Sequence, residues 1–229
     1  MTSSLRSVLL MILFFFSTYS YAAFVLNGTR FIYDEDKKNS SFTVTNKSDK
    51  TYGGQVWIDN STQGNGVYMV PQPPFFRVGA NQNQIIRILN TDTSLPKDRE
   101  SLFWLNVQEV PPKPETNGEG SVLSIAMNTR VKLIYRPSSI KEERKGAEKK
   151  LKIVHKGDET WLKNPTPYYM ALINVKDKGK SLGLSDSVMT ELAKFAPFSE
   201  IKLAKNIFEG VSVEAINDWG GVEQFEISR

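Results

Sequence analysis

The chain has 229 residues, enough for two domains of about 100 residues each, with 40% hydrophobic and 24% charged residues and a net charge of +4. It contains no cysteine and a single histidine, His155. Disulfides, thiolate catalysis, cysteine-bound zinc, iron–sulfur clusters and multi-histidine metal sites are therefore excluded. The small basic excess forms no basic stripe, so no nucleic-acid partner is expected.

In chain order, residues 1–22 read as a secretory signal peptide. Arg6 supplies the positive start, Val8 to Phe16 is unbroken apolar sequence, and Ser20 and Ala22 have the spacing of a cleavage site. Cleavage after Ala22 removes Arg6 and lowers the net charge from +4 to +3. The exported remainder, lacking cysteine, relies on core packing alone. Two-residue alternation then predicts strands at 42–45, 55–58, 85–89 and 102–110, and a long strand from Leu123 through Tyr135. Turn signals separate them at 34–41, 46–50, 60–66, 80–84 and 113–120. Pro137 ends the long strand, and the mixed-charge run Lys141 to Lys150 reads as a solvated linker. Strand patterns resume at 151–154, 168–175, 201–203, 211–216 and 222–227, with a helical turn or two within Ser185 to Phe195. Short strands at regular turn spacing predict an all-β protein of two sandwich domains. The expected organisation is a signal peptide (1–22), an N-terminal domain (23–139) and a C-terminal domain (140–229).

Enzyme motifs are weak. Gly179-Lys180-Ser181-Leu182-Gly183 matches G-x-S-x-G, but that motif is catalytic on a strand–turn–helix elbow of an α/β sheet. In an all-β domain it reads as a glycine-rich loop, and a hydrolase using Ser181 and His155 is a minor rival. The same stretch imitates a phosphate loop, except that Asn174 stands where that loop needs glycine. No catalytic residue, metal site or cofactor is expected.

Five blocks are dense in defined residue types. They are Asn27-Gly-Thr-Arg-Phe-Ile-Tyr33, Leu95-Pro-Lys-Asp-Arg-Glu-Ser-Leu-Phe-Trp-Leu-Asn-Val-Gln-Glu-Val-Pro-Pro112, Thr129-Arg-Val-Lys-Leu-Ile-Tyr-Arg-Pro137, Asn164-Pro-Thr-Pro-Tyr-Tyr169 and Ile216-Asn-Asp-Trp-Gly-Gly221. In this order, over nearly the whole mature chain, they resemble the PapD-like periplasmic chaperones of the chaperone–usher pilus pathway. The resemblance implies two immunoglobulin-like domains in a boomerang arrangement. It implies a periplasmic chaperone, without ATP or cofactor, that captures, folds and caps pilus subunits by donor-strand complementation and delivers them to an outer-membrane usher. The short loop Pro111 to Ser121 points to the short-loop group, and Pro73-Pro74 matches a proline pair where a cis bond can occur. A structural pilus subunit or adhesin is the alternative reading, but it predicts one incomplete domain where two complete patterns are present.

The resemblance also assigns residues. Arg30 and Lys132 match the pair that binds the subunit's terminal carboxylate. Leu123, Ile125 and Met127 are the donor face, and self-association through this free strand is a hazard. Read from the residues alone, that face serves the domain's own core; if it is the donor face, Val122, Ala126 and Ile134 on the other face serve the core instead. By alternation Lys132 faces away from the donor residues, so either a bulge intervenes or the two faces differ. Glu100, Arg136 and Asp218 match a charged trio linking the two domains.

Overall fold

The structure, a computed structural model, describes residues 23–113, 124–203 and 210–227. The expected signal peptide, most of the loop before the long strand, Val122 and Leu123 lie outside the described residues.

The N-terminal half holds β1 (Phe24–Leu26), β2 (Arg30–Asp34), β3 (Ser40–Asn46), β4 (Tyr52–Asn60), β5 (Met69–Gln72), β6 (Phe75–Val78), β7 (Asn83–Asn90), β8 (Ser101–Val110) and β9 (Asn128–Arg136). One sheet has the order β1-β3-β7-β5 and the other β2-β9-β8-β4-β6. Strand alternation sets the inner faces. Phe42, Val44, Ile86 and Ile88 from the first sheet share a buried cluster with Phe103, Leu105, Val107 and Leu133 from the second. Each such side chain contributes about 1.5–3 kcal/mol. The chain changes sheets at Asn27-Gly28-Thr29, because β1 pairs with β3 antiparallel whereas β2 pairs with β9 parallel.

The C-terminal half holds β10 (Lys152–Lys156), β11 (Glu159–Lys163), β12 (Leu172–Asp177), β13 (Lys180–Ser181), α1 (Asp186–Leu192), β14 (Glu200–Leu203), β15 (Val211–Ile216) and β16 (Val222–Glu226). Its sheets have the orders β10-β11-β14 and β13-β12-β15-β16, closed over Leu162, Tyr168, Leu172, Phe195 and Val213. Ser185 begins α1 where expected, accepting a hydrogen bond from the Val188 amide at 3.4 Å. Among the described residues the fold is thus all-β apart from this short helix and two 3₁₀ turns.

Three expectations change, and the open question of the proline pair is answered. The run Lys141 to Lys150 is not a solvated linker. The 3₁₀ turns Ser138–Ile140 and Ala147–Lys150 fold it back, and Arg144, Ala147 and Glu148 are buried. Arg144 pairs with Glu148 at 2.9 Å and lies over the Tyr168 ring at 5.5 Å. The cis peptide bond is Gln72–Pro73, one bond before the Pro73-Pro74 pair. The long strand pairs as β9 only from Asn128, because Ser124 to Met127 has a single ladder contact, the Glu109 amide to the Met127 carbonyl at 3.0 Å. Finally, Ala126 is exposed, and Ile134, though buried, lies outside the domain's core cluster.

Register fixes the faces of β9 from Asn128 onward. β9 stays in continuous register with β8 from Asn128↔Gln108 to Tyr135↔Ser101, with no bulge. Lys132 therefore points away from the core, while Ile125 and Met127 fall in line with Val131, Leu133 and Tyr135. Along that line exposure rises from 0% at Leu133 to 52% at Met127 and 67% at Ile125. The strand carries its apolar face out beyond the sandwich that buries it.

Candidate anion-binding cleft at the domain junction

Parallel pairing of β2 with β9 places Arg30 directly beside Lys132. Both side chains enter a narrow cleft between the domains, with Ile134, Tyr169 and Met170 among its walls. Each cation is held by a main-chain carbonyl of the C-terminal domain. Arg30 Nη1 donates to Ile216 O at 2.9 Å, and Lys132 Nζ donates to Ala193 O, at the C-terminal end of α1, the negative end of the helix dipole. Arg30 Nε is buried and has no hydrogen-bond partner.

The electrostatics of the pair are unfavourable. Burial, then the neighbouring Arg30 charge, pulls the Lys132 ammonium down to about 8. Burial likewise lowers Arg30, against the attraction of Asp218. Two adjacent, desolvated cations on fixed supports suit an anion, and a carboxylate can accept hydrogen bonds from both.

Next to the cleft, the charged trio meets. Arg136 Nε donates to Glu100 Oε1 at 2.7 Å, and its terminal nitrogens donate to the two Asp218 oxygens at 2.7 and 3.1 Å. Burial opposes the Arg136 charge, but hydrogen bonding to Asp218 and the charge of Glu100 outweigh it and raise its pKa. Burial would raise Asp218, yet its bonds to Arg136 hold it below the usual carboxylate range. Glu100 is pushed up by burial against the pull of Arg136 and Arg144. The second Glu100 oxygen accepts from the Tyr169 amide at 2.7 Å, and the Glu100 amide donates to Pro167 O at 2.9 Å. The Asn164-Pro-Thr-Pro-Tyr block thus receives Glu100. Asn164 shapes that block by donating to Tyr168 O and Ala196 O and accepting from the Thr166 amide.

Of the expected residues, the structure brings Arg30 and Lys132 together, and separately Glu100, Arg136 and Asp218. Ile125 and Met127 are exposed on the approach to Lys132, and Leu123 lies outside the described residues. Sequence reasoning missed Arg144, which lies 3.8 Å from Asp218, because its pairing with Glu148 looks like any charged run. It also missed the carbonyls of Ala193 and Ile216, which carry no residue-type signal. Ser181 sits in the edge strand β13, bonded to Asn174 at 2.8 Å, while His155 is on β10 of the other sheet, so no nucleophile elbow forms.

Comparison with known proteins matches residues 23–141 to the pili and flagellar-assembly chaperone PapD N-terminal domain and residues 146–227 to the pili assembly chaperone PapD C-terminal domain. The chain belongs to the PapD-like pilus chaperone family. This PapD-like chain is 45% identical to the Escherichia coli chaperone protein FanE over 216 residues, covering 93% of this chain and 94% of FanE. It is 36% identical to the E. coli chaperone protein FaeE over 212 residues, covering 91% and 80%. Its fold is similar to that in the complex of Salmonella enterica SafA pilin with the SafB chaperone, at a TM-score of 0.74, 28% identity and coverage of 91% and 97%. The E. coli chaperone DraB is similar at a TM-score of 0.72, 28% identity and coverage of 90% and 95%. All four relatives are chaperones, SafB being solved in complex with a pilin, and the subunit-or-adhesin alternative is set aside.

Proposed function

We propose that this chaperone works in the periplasm, after removal of residues 1–22, and that domains 23–139 and 140–229 together hold one pilus subunit for delivery to an outer-membrane usher. It acts by binding, without catalysis, ATP or cofactor. One observation carries the reading. The edge of β9 that faces away from β8 pairs with β2 only from Lys132 onward, so its main chain is open from Asn128 to Val131 and ends at two cations. A strand added there meets β2 at its inner end. If its terminal carboxylate lies between Arg30 and Lys132, its chain runs out toward Asn128, parallel to β9. The carboxylate fixes the register, and Leu123, Ile125 and Met127 then fill a groove in a subunit that lacks a strand. Glu100, Arg136 and Asp218 hold the domain angle that keeps Arg30 and Lys132 on their carbonyl supports. The same exposed strand allows self-association when no subunit is bound.

The test is recovery of mass-spectrometrically identified pilus subunits with tagged mature protein from periplasm. Recovery with wild type and loss with Lys132→Ala or Arg30→Ala is the expected result. Equal recovery removes these cations from the mechanism, and no recovery from cells that express the subunits overturns the reading.

A further inference from the structure

Trp219 is the most exposed large hydrophobic residue among those described, at 95%. Its setting is unusual for a solvent-facing indole, because the turn that carries it is densely hydrogen-bonded. Asn217 Oδ1 accepts from the Trp219 amide at 3.0 Å and the Gly221 amide at 2.9 Å, and the Asn217 amide donates to Gly221 O at 2.8 Å. Asp218, one residue before Trp219, is gripped by Arg136. Gly220 has a φ of +87°, and a β-carbon there would lie 2.8 Å from Thr29 Oγ1, so the turn also abuts the N-terminal domain. A further apolar residue, Val222, is 58% exposed at the start of β16 in the same hairpin. An aromatic side chain on a preorganised support loses little conformational freedom when it is covered, which is the property of interface hot spots.

The position of the turn points to its occupant. Ile216, whose carbonyl holds Arg30, stands three residues before Trp219, and Thr29 is the residue before Arg30. The turn therefore lies beside Arg30, where the open edge of β9 ends. A strand whose carboxylate lies between Arg30 and Lys132 brings its last side chains next to this turn, alternately toward and away from the sandwich. Resting on the function proposed above, we infer that Trp219 is a specificity-determining packing surface for the pilus subunit. It covers an apolar side chain close to the subunit's terminal carboxylate, so that the chaperone reads the end of its client by both charge and apolar contact.

The experiment uses the full mature protein and a pilus subunit already identified in its complex. Complex formation is followed by size-exclusion chromatography, and Trp219 by hydroxyl-radical footprinting with mass spectrometry. The expected result is a reactive Trp219 in the free protein and a protected one in the complex. Trp219→Ala should weaken capture at least about tenfold, equivalent to about 1.4 kcal/mol, while Trp219→Phe retains most of it. Replacing the apolar residue nearest the subunit's C-terminus with serine should give a similar loss with wild type and little further loss with Trp219→Ala. A complex that forms with Trp219 still reactive and Trp219→Ala unimpaired overturns this inference and leaves the chaperone reading intact. Protection that appears without subunit, and grows with protein concentration, overturns it in favour of a second copy of the chain. Failure of wild type to form any complex overturns the reading on which it rests.

Discussion

Lys132 carries a charge that the free protein solvates poorly. Burial and Arg30 hold its pKa near 8, whereas an unfolded lysine titrates near 10.5. Two consequences follow with opposite signs. Between those values the unfolded chain binds a proton that the folded chain has released, so fold stability rises as pH climbs from about 8 toward 10.5. The gain is on the order of 1–3 kcal/mol, reduced by the solvent the ammonium retains. Capture of a carboxylate needs the protonated form and falls over the same rise. Thermal unfolding and subunit binding measured at pH 7 and 9 should therefore move in opposite directions; a parallel decline would mean that Lys132 holds the fold and not the ligand. Lys132→Met extends the argument. It deletes a desolvated cation and keeps the aliphatic stem, so the melting temperature should stay level or rise while capture drops by at least about a hundredfold, as for a charged partner removed from a buried pair.

Along β9 and the segment before it, one alternating pattern passes from buried to exposed. Leu133 and Tyr135 are fully buried in the N-terminal domain, whereas Ile125 and Met127, on the same line, are exposed. Ile125→Ser combined with Met127→Ser should change unfolding free energy by less than about 1 kcal/mol, as surface substitutions do, yet abolish subunit recovery. Leu133→Ala should cost about 2–5 kcal/mol by opening a core cavity. Denaturant titration of the two variants separates the roles; a large loss of stability in the serine pair would place those residues in the core. This division also marks how far the sequence could be read. Alternation predicted a strand from Leu123 to Tyr135, of which the structure pairs Asn128 to Tyr135 with β8 in continuous register, without a bulge over that span. Where the apolar face leaves the sandwich was not legible, because it depends on how far the opposing sheet reaches. The Lys141 to Lys150 run misled for a related reason. An ion pair folded inward, Arg144 with Glu148, has the same composition as one in water.

At the scale of the molecule, the proposed anchor belongs to neither domain alone. Arg30 and Lys132 come from the N-terminal sheet, but Ile216 and Ala193 of the other domain orient them. Any change in the domain angle moves those carbonyls, so under the proposed function the trio of Glu100, Arg136 and Asp218 would act on capture without touching the ligand. The trio's residues were legible through the resemblance of their sequence blocks, whereas their support was not, since it consists of main-chain groups at Pro167 and Tyr169 and the buried Arg144. Arg136 is the member whose loss is most costly, because Glu100, with a fully buried side chain, keeps only the Tyr169 amide at its carboxylate. Arg136→Met should destabilise the protein by about 3–5 kcal/mol, the usual cost of stranding a buried charge. Asp218→Asn, at a partly exposed position that can still accept a hydrogen bond, should cost less. Urea unfolding gives these values, and small-angle scattering reads the domain angle. Asp218→Asn should broaden the distribution of interdomain distances and weaken capture severalfold while Trp219 and both cations remain in place. An unchanged scattering profile with unchanged capture would show that the interface holds its angle without the trio, and that the carbonyl supports of Arg30 and Lys132 are fixed by packing alone.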